Sequence, residues 1–263
     1  LRGSAWFTIL LAAALAAAMA FLVLPVVAIF TNTSPARLFS SLGDPAATDA
    51  LKLSLETTSI AIAVIVLVGT PAAFLLATRR FAGRAIVITL VELPLVMPPA
   101  VAGIGLLAAL GPRGLLGGVF DDSLVLQTAG VVVALTFVSA PFYLRQAQAA
   151  FEAVDRRLLD VSRTLGRSEA QTFARVAIPV ALGGLVTGLA LAWARALGEF
   201  GATLMFAGSF RGITQTAPLA IYDLFATDFP AALALSGVLV AVSGGLLLAV
   251  KLVVKQLPLG AQS

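Results

Sequence analysis

The chain has no cysteine and no histidine, and its only lysines are Lys52, Lys251 and Lys255. Without cysteine there is no disulfide framework and no thiolate zinc site. Without histidine, the commonest general base and metal ligand is missing, and a Ser-His-Asp or Cys-His mechanism is excluded. None of the lysines follows a glycine, so the chain contains no Gly-x4-Gly-Lys-Ser/Thr phosphate loop. Charge of either sign is scarce: 11% of residues are charged and 60% are hydrophobic. That balance excludes an ordinary soluble domain. A net charge of +4 would suggest nucleic acid in a soluble protein. Here topology accounts for the basic residues, and no nucleic acid is expected as a partner.

What is abundant is long apolar sequence. Crossing a bilayer as a helix takes roughly 20 mainly apolar residues. Six segments qualify: 5–30, 54–78, 85–110, 124–144, 176–195 and 231–250. Their length and Ala/Leu/Val/Ile content predict helices; a membrane barrel would show alternating stretches of about ten residues. The first segment is longer than a signal-peptide core and shows no clear small-residue cleavage site, so it reads as a membrane helix. The fold class is therefore an all-α polytopic membrane protein with about six transmembrane helices. No linker divides it, and 1–263 reads as a single transmembrane domain in contact with membrane lipid.

Orientation follows from the basic residues. With the N-terminus inside, the inner side holds Arg2, Arg79, Arg80, Arg84, Arg145, Arg156, Arg157, Arg163, Arg167, Arg175, Lys251 and Lys255. The outer side holds only Arg37, Lys52, Arg113 and Arg211, with Asp121 and Asp122 in a Gly-rich outer connection. The bias predicts a multi-pass protein of the cell membrane with both termini cytoplasmic.

The longest polar stretch between two apolar segments is LDVSRTLGRSEAQTFARVAIP (159–179). Residues 156–165 predict a short helix closed at Gly166, where a left-handed conformation suits glycine. Ser168 and Gln171 fit a capping box, which starts a second helix near Glu169 running toward Pro179. Two short helices joined at a glycine would form a rigid knob. A charged amphipathic loop on lipid headgroups is the alternative from spacing alone.

The third span carries Glu92, Pro94, Pro98, Pro99, Gly103 and Gly105. Proline inside a helix removes a hydrogen bond and clashes with the preceding turn. Such a break is tolerated where the backbone lies in protein or lines a wet cavity, so the span is either a kinked packing helix or part of a transport route. Glu92 should face the bundle interior, as polar glue with an arginine of a neighbouring loop or as a substrate contact. Glu56 carries the same two readings. In RALGEFGATLMFAG (195–208), Arg195 and Glu199 stand four apart, a weak helix pair in this order. Gly198 and Gly201 bracket Glu199-Phe200 and permit a bend. Residues 202–207 are too short to span, and 219–225 reads as a short amphipathic piece at the outer surface.

The spacing Asp160-Val161-Ser162-x3-Gly166-x9-Val176-x-Ile178-Pro179 resembles the E-A-A-x3-G-x9-I-x-L-P loop of ABC-importer permeases. Asp160 stands for the pattern's Glu, Val161 and Ser162 for its two alanines, and Val176 and Ile178 for its Ile and Leu. Three further stretches resemble the molybdate and sulfate group of that family, the molybdate members most: LPLVMPPAVAGIGLLAALGPRGLLG (93–117), LTFVSAPFYLRQAQAAFEAVD (135–155) and ARALGEFGATLMFAGSFRGITQTAPLAIY (194–222). The resemblance covers nearly the whole chain. It implies a type I ABC-importer permease fold with a cytoplasmic coupling loop over about 152–179, in which Asp160, Val161, Ser162, Gly166, Val176, Ile178 and Pro179 face the motor. It also implies a translocation pathway or gate at Pro98, Pro99, Glu199, Phe200, Gly201 and Thr203. The implied partners are a second copy of the chain, two cytoplasmic ABC ATPase subunits that hold ATP and magnesium, and an extracytoplasmic oxyanion-binding protein. No cofactor is expected on this chain, and it is expected not to be an enzyme.

The membrane part offers essentially Arg195 as a cation for an anion. A weak pathway of hydroxyls and backbone amides, with Thr203, Thr214 and Thr216 as candidates, suits a conduit that must release its cargo. Sulfate or tungstate remain alternatives to molybdate. An ATP-independent secondary transporter or channel, using Glu56, Glu92 and Glu199 for ion coupling, is the alternative from another class.

Overall fold

The computed structural model describes residues 5–41, 43–120 and 124–256. Arg2, Asp121 and Asp122 lie outside them, as does the side chain of Lys255. The described residues form α1 (Ala5–Thr31), α2 (Pro35–Ser41), α3 (Pro45–Thr78), α4 (Arg84–Val96), α5 (Pro99–Leu110), α6 (Gly117–Phe120) and α7 (Thr128–Glu152). After these come α8 (Arg156–Thr164), α9 (Glu169–Thr172), a π-helical turn (Phe173–Ala177), α10 (Ile178–Leu197), α11 (Gly201–Ala207), α12 (Ala217–Thr227) and α13 (Phe229–Gln256). Among the described residues, five helical stretches are long and apolar enough to cross a membrane, and six if the bent pair α4–α5 counts as one.

Helix α7 runs eight residues past the expected 144, and two further spans differ from the sequence expectation. Helix α3 starts nine residues before the predicted 54, because Asp44 caps it, accepting from the Ala46 amide at 2.8 Å, and Pro45 fits its first turn. Its extra turns are held by Ala47 and Ala50, buried with Ala220 and Leu235. The third span is not one kinked helix but two, bent by 119°. Met97 and Pro98 each precede a proline, and both take extended backbone, with ψ of 130° and 136°. Helix α4 must stop there, and Pro99 starts α5.

Helix α7 is the centre of the bundle, packed most extensively against α3 and α10. Small residues set these crossings, as expected where helices pack inside lipid without a hydrophobic driving force between them. A Cβ on Gly69 would lie 3.0 Å from the Tyr143 ring, one on Gly184 2.4 Å from the Ala150 Cβ, and one on Gly188 3.1 Å from the Gln146 Cβ. Tyr143 and Thr70 share a buried 2.6 Å hydrogen bond. The Thr70 hydroxyl also donates to the Val66 carbonyl, so its one proton is used and Tyr143 is the donor.

The ends of α3 and α7 and the starts of α4 and α8 share one face, tied by Arg84–Glu152 at 2.9 Å and Arg79–Glu169 at 3.6 Å. The opposite face is tied by the Ala217 amide donating to Ser54 Oγ at 2.7 Å and Thr128 Oγ1 donating to the Ile213 carbonyl at 2.8 Å.

A methyl-sized clash at the α7–α10 crossing should separate the two helices. Gly184→Val is expected to destabilise the solubilised protein by about 1–3 kcal/mol. Gly244→Val, at a position with nothing within 4 Å, should leave the melting temperature unchanged.

Candidate functional site

The polar stretch after α7 folds into a knob. Asp155 caps α8, accepting from the Arg157 amide at 2.9 Å. Gly166 has φ +82° and turns the chain with nothing near its Cα, so the glycine answers a backbone need. Ser168 and Gln171 form a reciprocal capping box. Ser162 and Thr172, both buried, bond at 2.9 Å and close the two arms. Arg163 bridges Asp160 at 2.8 Å and Glu169 at 3.0 Å. The hydrogen bond to Glu169, partly opposed by burial, raises the Arg163 pKa, so the guanidinium keeps its charge.

The expected second short helix is different in form. It runs through the π-turn into α10, giving one stretch from Glu169 to Leu197. Pro179 lacks an amide proton and its ring crowds the carbonyl four residues back. The helix accommodates it by widening, with the Ile178 amide donating to the Phe173 carbonyl. Val176 and Ile178 are half-buried and Pro179 is exposed at the start of α10. Asp160 and Gly166 are exposed, while Ser162 points into the knob. On α8 and at its C-cap, Leu158, Val161 and Leu165 are 47%, 56% and 75% exposed, three apolar side chains among Arg156, Arg157, Asp160 and Arg163.

Two sets of contacts tie the helices together at the knob's end of the bundle. Phe173 stacks at 4.8 Å on Phe74 of α3 and lies 6.1 Å from Phe151 of α7, and these two rings are themselves 5.3 Å apart. Nothing in the sequence singles out these phenylalanines, because phenylalanine is commonplace in an apolar chain. The second set is a polar ladder between α4 and α7. Arg145 meets Glu92 at 2.8 Å and donates to Gln148 at 3.0 Å. Gln148 donates to Glu152 at 2.8 Å, and Arg84 donates to Glu152 at 2.9 Å and to the Leu76 carbonyl at 2.8 Å. Glu92 thus has the arginine partner that its position demands, from a helix and not from a loop. Helix α4 buries no residue of its own, so these polar bonds are its main tie to the bundle.

At the other end of α10 a second break meets the first. The chain bends at Gly198–Phe200 before α11. Glu199 is 1% exposed, pairs with Arg195 at 2.5 Å, and accepts from the Ala202 amide at 2.7 Å. The pair expected to be weak is therefore buried, and its carboxylate caps α11. Gly201 sits against Pro99: a Cβ there would lie 2.8 Å from the Pro99 Cβ. A Cβ on Gly103 would lie 2.6 Å from the Ala202 carbonyl oxygen. Pro99, Glu199 and Gly201 are thus brought into one node, with Pro98 exposed beside it and Phe200 stacked on Tyr222 at 4.9 Å. Thr203 and Thr216 are buried with no hydroxyl partner among the described residues. Thr214 accepts from the Phe210 amide at 2.9 Å and closes a turn. All three of these threonines are buried. Glu56 is exposed and has no ion pair among the described residues.

A multi-helix membrane bundle with a projecting charged knob and two facing broken spans is the architecture of a permease. Residues 65–255 match the family of binding-protein-dependent transport system inner membrane components, and the chain belongs to that family. It is 41% identical to the molybdenum transport system permease protein ModB of Mycobacterium tuberculosis (strain H37Rv), over 89% of this chain and 90% of that one. It is 34% identical to the molybdate/tungstate transport system permease protein WtpB of Pyrococcus abyssi, over 76% and 78% respectively. Its fold matches a chain of a bacterial ABC transporter that imports the acidic polysaccharide alginate. The TM-score is 0.64 at 17% identity, covering 97% of this chain and 98% of that one.

Two expectations follow from the geometry. Glu199→Ala strips Arg195 of its partner and α11 of its cap, and should cost about 3 kcal/mol; Glu199→Gln keeps an acceptor for the Ala202 amide and should cost less, both read from melting of the solubilised protein. Phe173→Ala should lower stability by about 2 kcal/mol and speed tryptic cleavage at Arg163, Arg167 and Arg175. An unchanged cleavage rate would show that the rings do not hold the knob.

Proposed function

We propose that this chain is the membrane-spanning permease subunit of an ATP-driven importer of tetrahedral oxyanions, with molybdate as the substrate. The observation that carries this reading is the near-full-length relation to a molybdenum transport permease. Tungstate is the second reading, favoured by the relation to a molybdate/tungstate permease. The working assembly is a pair of these chains with two ABC ATPase subunits and an external oxyanion-binding protein. Both termini and the knob lie in the cytoplasm, as the arginine bias supports. ATP and magnesium belong to the ATPase subunits, and this chain carries no catalytic residue.

The knob is the coupling surface. Leu158, Val161 and Leu165 offer an apolar stripe to a motor groove, with Asp160, Gly166, Val176, Ile178 and Pro179 around and behind it. Ser162 works inward, by holding α8 to the rest of the knob. ATP binding closes the motors, the knob moves as one body, and α10 carries that motion to the node of Pro98, Pro99, Glu199, Phe200, Gly201 and Thr203. The energy for the switch is the difference in motor contacts between the two states. Hydroxyls such as those of Thr203 and Thr216, closed in and unpartnered here, become the weak contacts of an opened path. An ion-coupled mechanism is disfavoured by the pairing of Glu92 with Arg145 and of Glu199 with Arg195.

Gly166→Val places a β-branched residue at φ +82°, where L-residues are strained. In cells expressing the whole transporter, molybdate uptake and receptor-stimulated ATP hydrolysis should both fall at least tenfold while the assembly still purifies intact. Normal stimulated hydrolysis would remove the coupling role. Titrating the cognate external receptor with molybdate, tungstate and sulfate tests the substrate.

A further inference from the structure

We propose that a recess on the arginine-rich face binds a compact phosphate-type oxyanion, at a site separate from the translocation path. The recess has a volume of about 220 Å³ and lies where α3 ends, α4 begins and α7 passes into α8. Arg79, Arg80, Arg84 and Arg156 line it above an apolar floor that includes Phe151 and Leu159. One carboxylate lines it, that of Glu152, and this already accepts from Arg84 and Gln148. Arg79 has Glu169 at 3.6 Å. Asp155, next to Arg156 in the chain, uses one oxygen as the cap of α8. Arg80 and Arg156 have no hydrogen bond or ion pair among the described residues. Two of the arginines that line the recess thus have no acceptor from the described residues of the fold.

Like charges gathered in a concave space repel unless an anion sits among them. Arg80 and Arg156 are exposed, and no hydrogen bond or ion pair among the described residues ties either to the fold. Guanidinium forks match the oxygen geometry of a tetrahedral oxyanion and bind it through paired N–H donors. The volume holds about seven waters at ~30 Å³ each, enough for one such anion with part of its hydration. Basic pockets between membrane helices at the level of the headgroups are suited to the phosphodiester of an anionic lipid. A dissolved tetrahedral oxyanion presents the same oxygens, so the chemistry is shared and the source is what the experiment decides. The inference rests on the recess alone and holds whether or not the chain moves molybdate.

The test uses the full chain. In one arm, the protein in neutral phosphatidylcholine nanodiscs is titrated with inorganic phosphate and followed by calorimetry. In the other, protein taken from mixed phosphatidylcholine and phosphatidylglycerol vesicles is examined by native mass spectrometry for retained phosphatidylglycerol. Arg80→Gln with Arg156→Gln removes the unpartnered charges, and Arg157→Gln with Arg167→Gln removes equal charge nearby but outside the recess. Binding in at least one arm should weaken at least tenfold in the first double variant and persist in the second. Phosphatidylglycerol retention without a phosphate signal assigns the site to lipid; a phosphate signal assigns it to a dissolved anion. Binding in neither arm, equal binding by the Arg80/Arg156 variant, or equal loss in both variants overturns the proposal. Melting without added anion checks folding, and Arg156→Gln alone replaces the double variant if that one fails to fold.

Discussion

The knob's second arm meets the membrane part at three phenylalanine rings, alongside the chain's own passage into α10 and the Arg79–Glu169 pair. Phe173 belongs to the knob's second arm, Phe74 to α3 and Phe151 to α7, and their mutual stacking fixes where the long helix from Glu169 to Leu197 enters the bundle. Each such pair contributes on the order of 1 kcal/mol beyond simple burial. More important than the sum is the geometry: the three rings meet tilted and edge-on, in arrangements that aromatic pairs prefer. The π-turn is what aims Phe173 at this spot, and Pro179 is what makes the turn necessary. A residue that reads as a helix end thus serves as a means of registering one helix against two others.

The remaining polar chemistry obeys a second constraint. In lipid, an unpaired charge or an open backbone group costs several kcal/mol, so each must find a partner within the fold. Glu92, Arg145, Gln148, Glu152 and Arg84 meet this demand by forming one continuous ladder. Glu199 meets it twice, once through Arg195 and once through the amide of Ala202. The two broken spans meet where Gly201 and Gly103 let the chains approach closely.

Features governed by neighbours in the chain were legible in the sequence. Gly166 as a left-handed helix stop and Ser168 with Gln171 as a capping box depend on chemistry within four residues. The apolar segments were equally plain, since their length alone meets the bilayer's demand. Features that depend on distant partners were legible only in kind. The need of Glu92 for an arginine followed from its depth, but the choice of Arg145 is a matter of how α4 and α7 cross. The early start of α3 was hidden because Asp49 and Lys52 dilute its apolar pattern. The burial of Glu199 was hidden because the order Arg195 then Glu199 is a poor pair on an exposed helix. The phenylalanine cluster and the recess were invisible, since both are assembled from three or more helix ends.

The two breaks also decide how motion could be carried in the proposed cycle. The stretch from Glu169 to Leu197 has 29 residues, or about 43 Å of helix at 1.5 Å per residue. A tilt of about 5° at its base would displace its far end by about 4 Å, and just past that end Gly201 packs closely on Pro99. In the proposed cycle α11 and α5 therefore travel as a pair, while α4, on the other side of the Pro98–Pro99 break, stays tied to α7 by its polar ladder. The break is then the hinge: its two prolines forbid a continuous helix, so α5 can swing with α11 without dragging α4 from its partners. A straight third span would couple the two ends rigidly, and a small displacement at the knob would have to break either the ladder or the node.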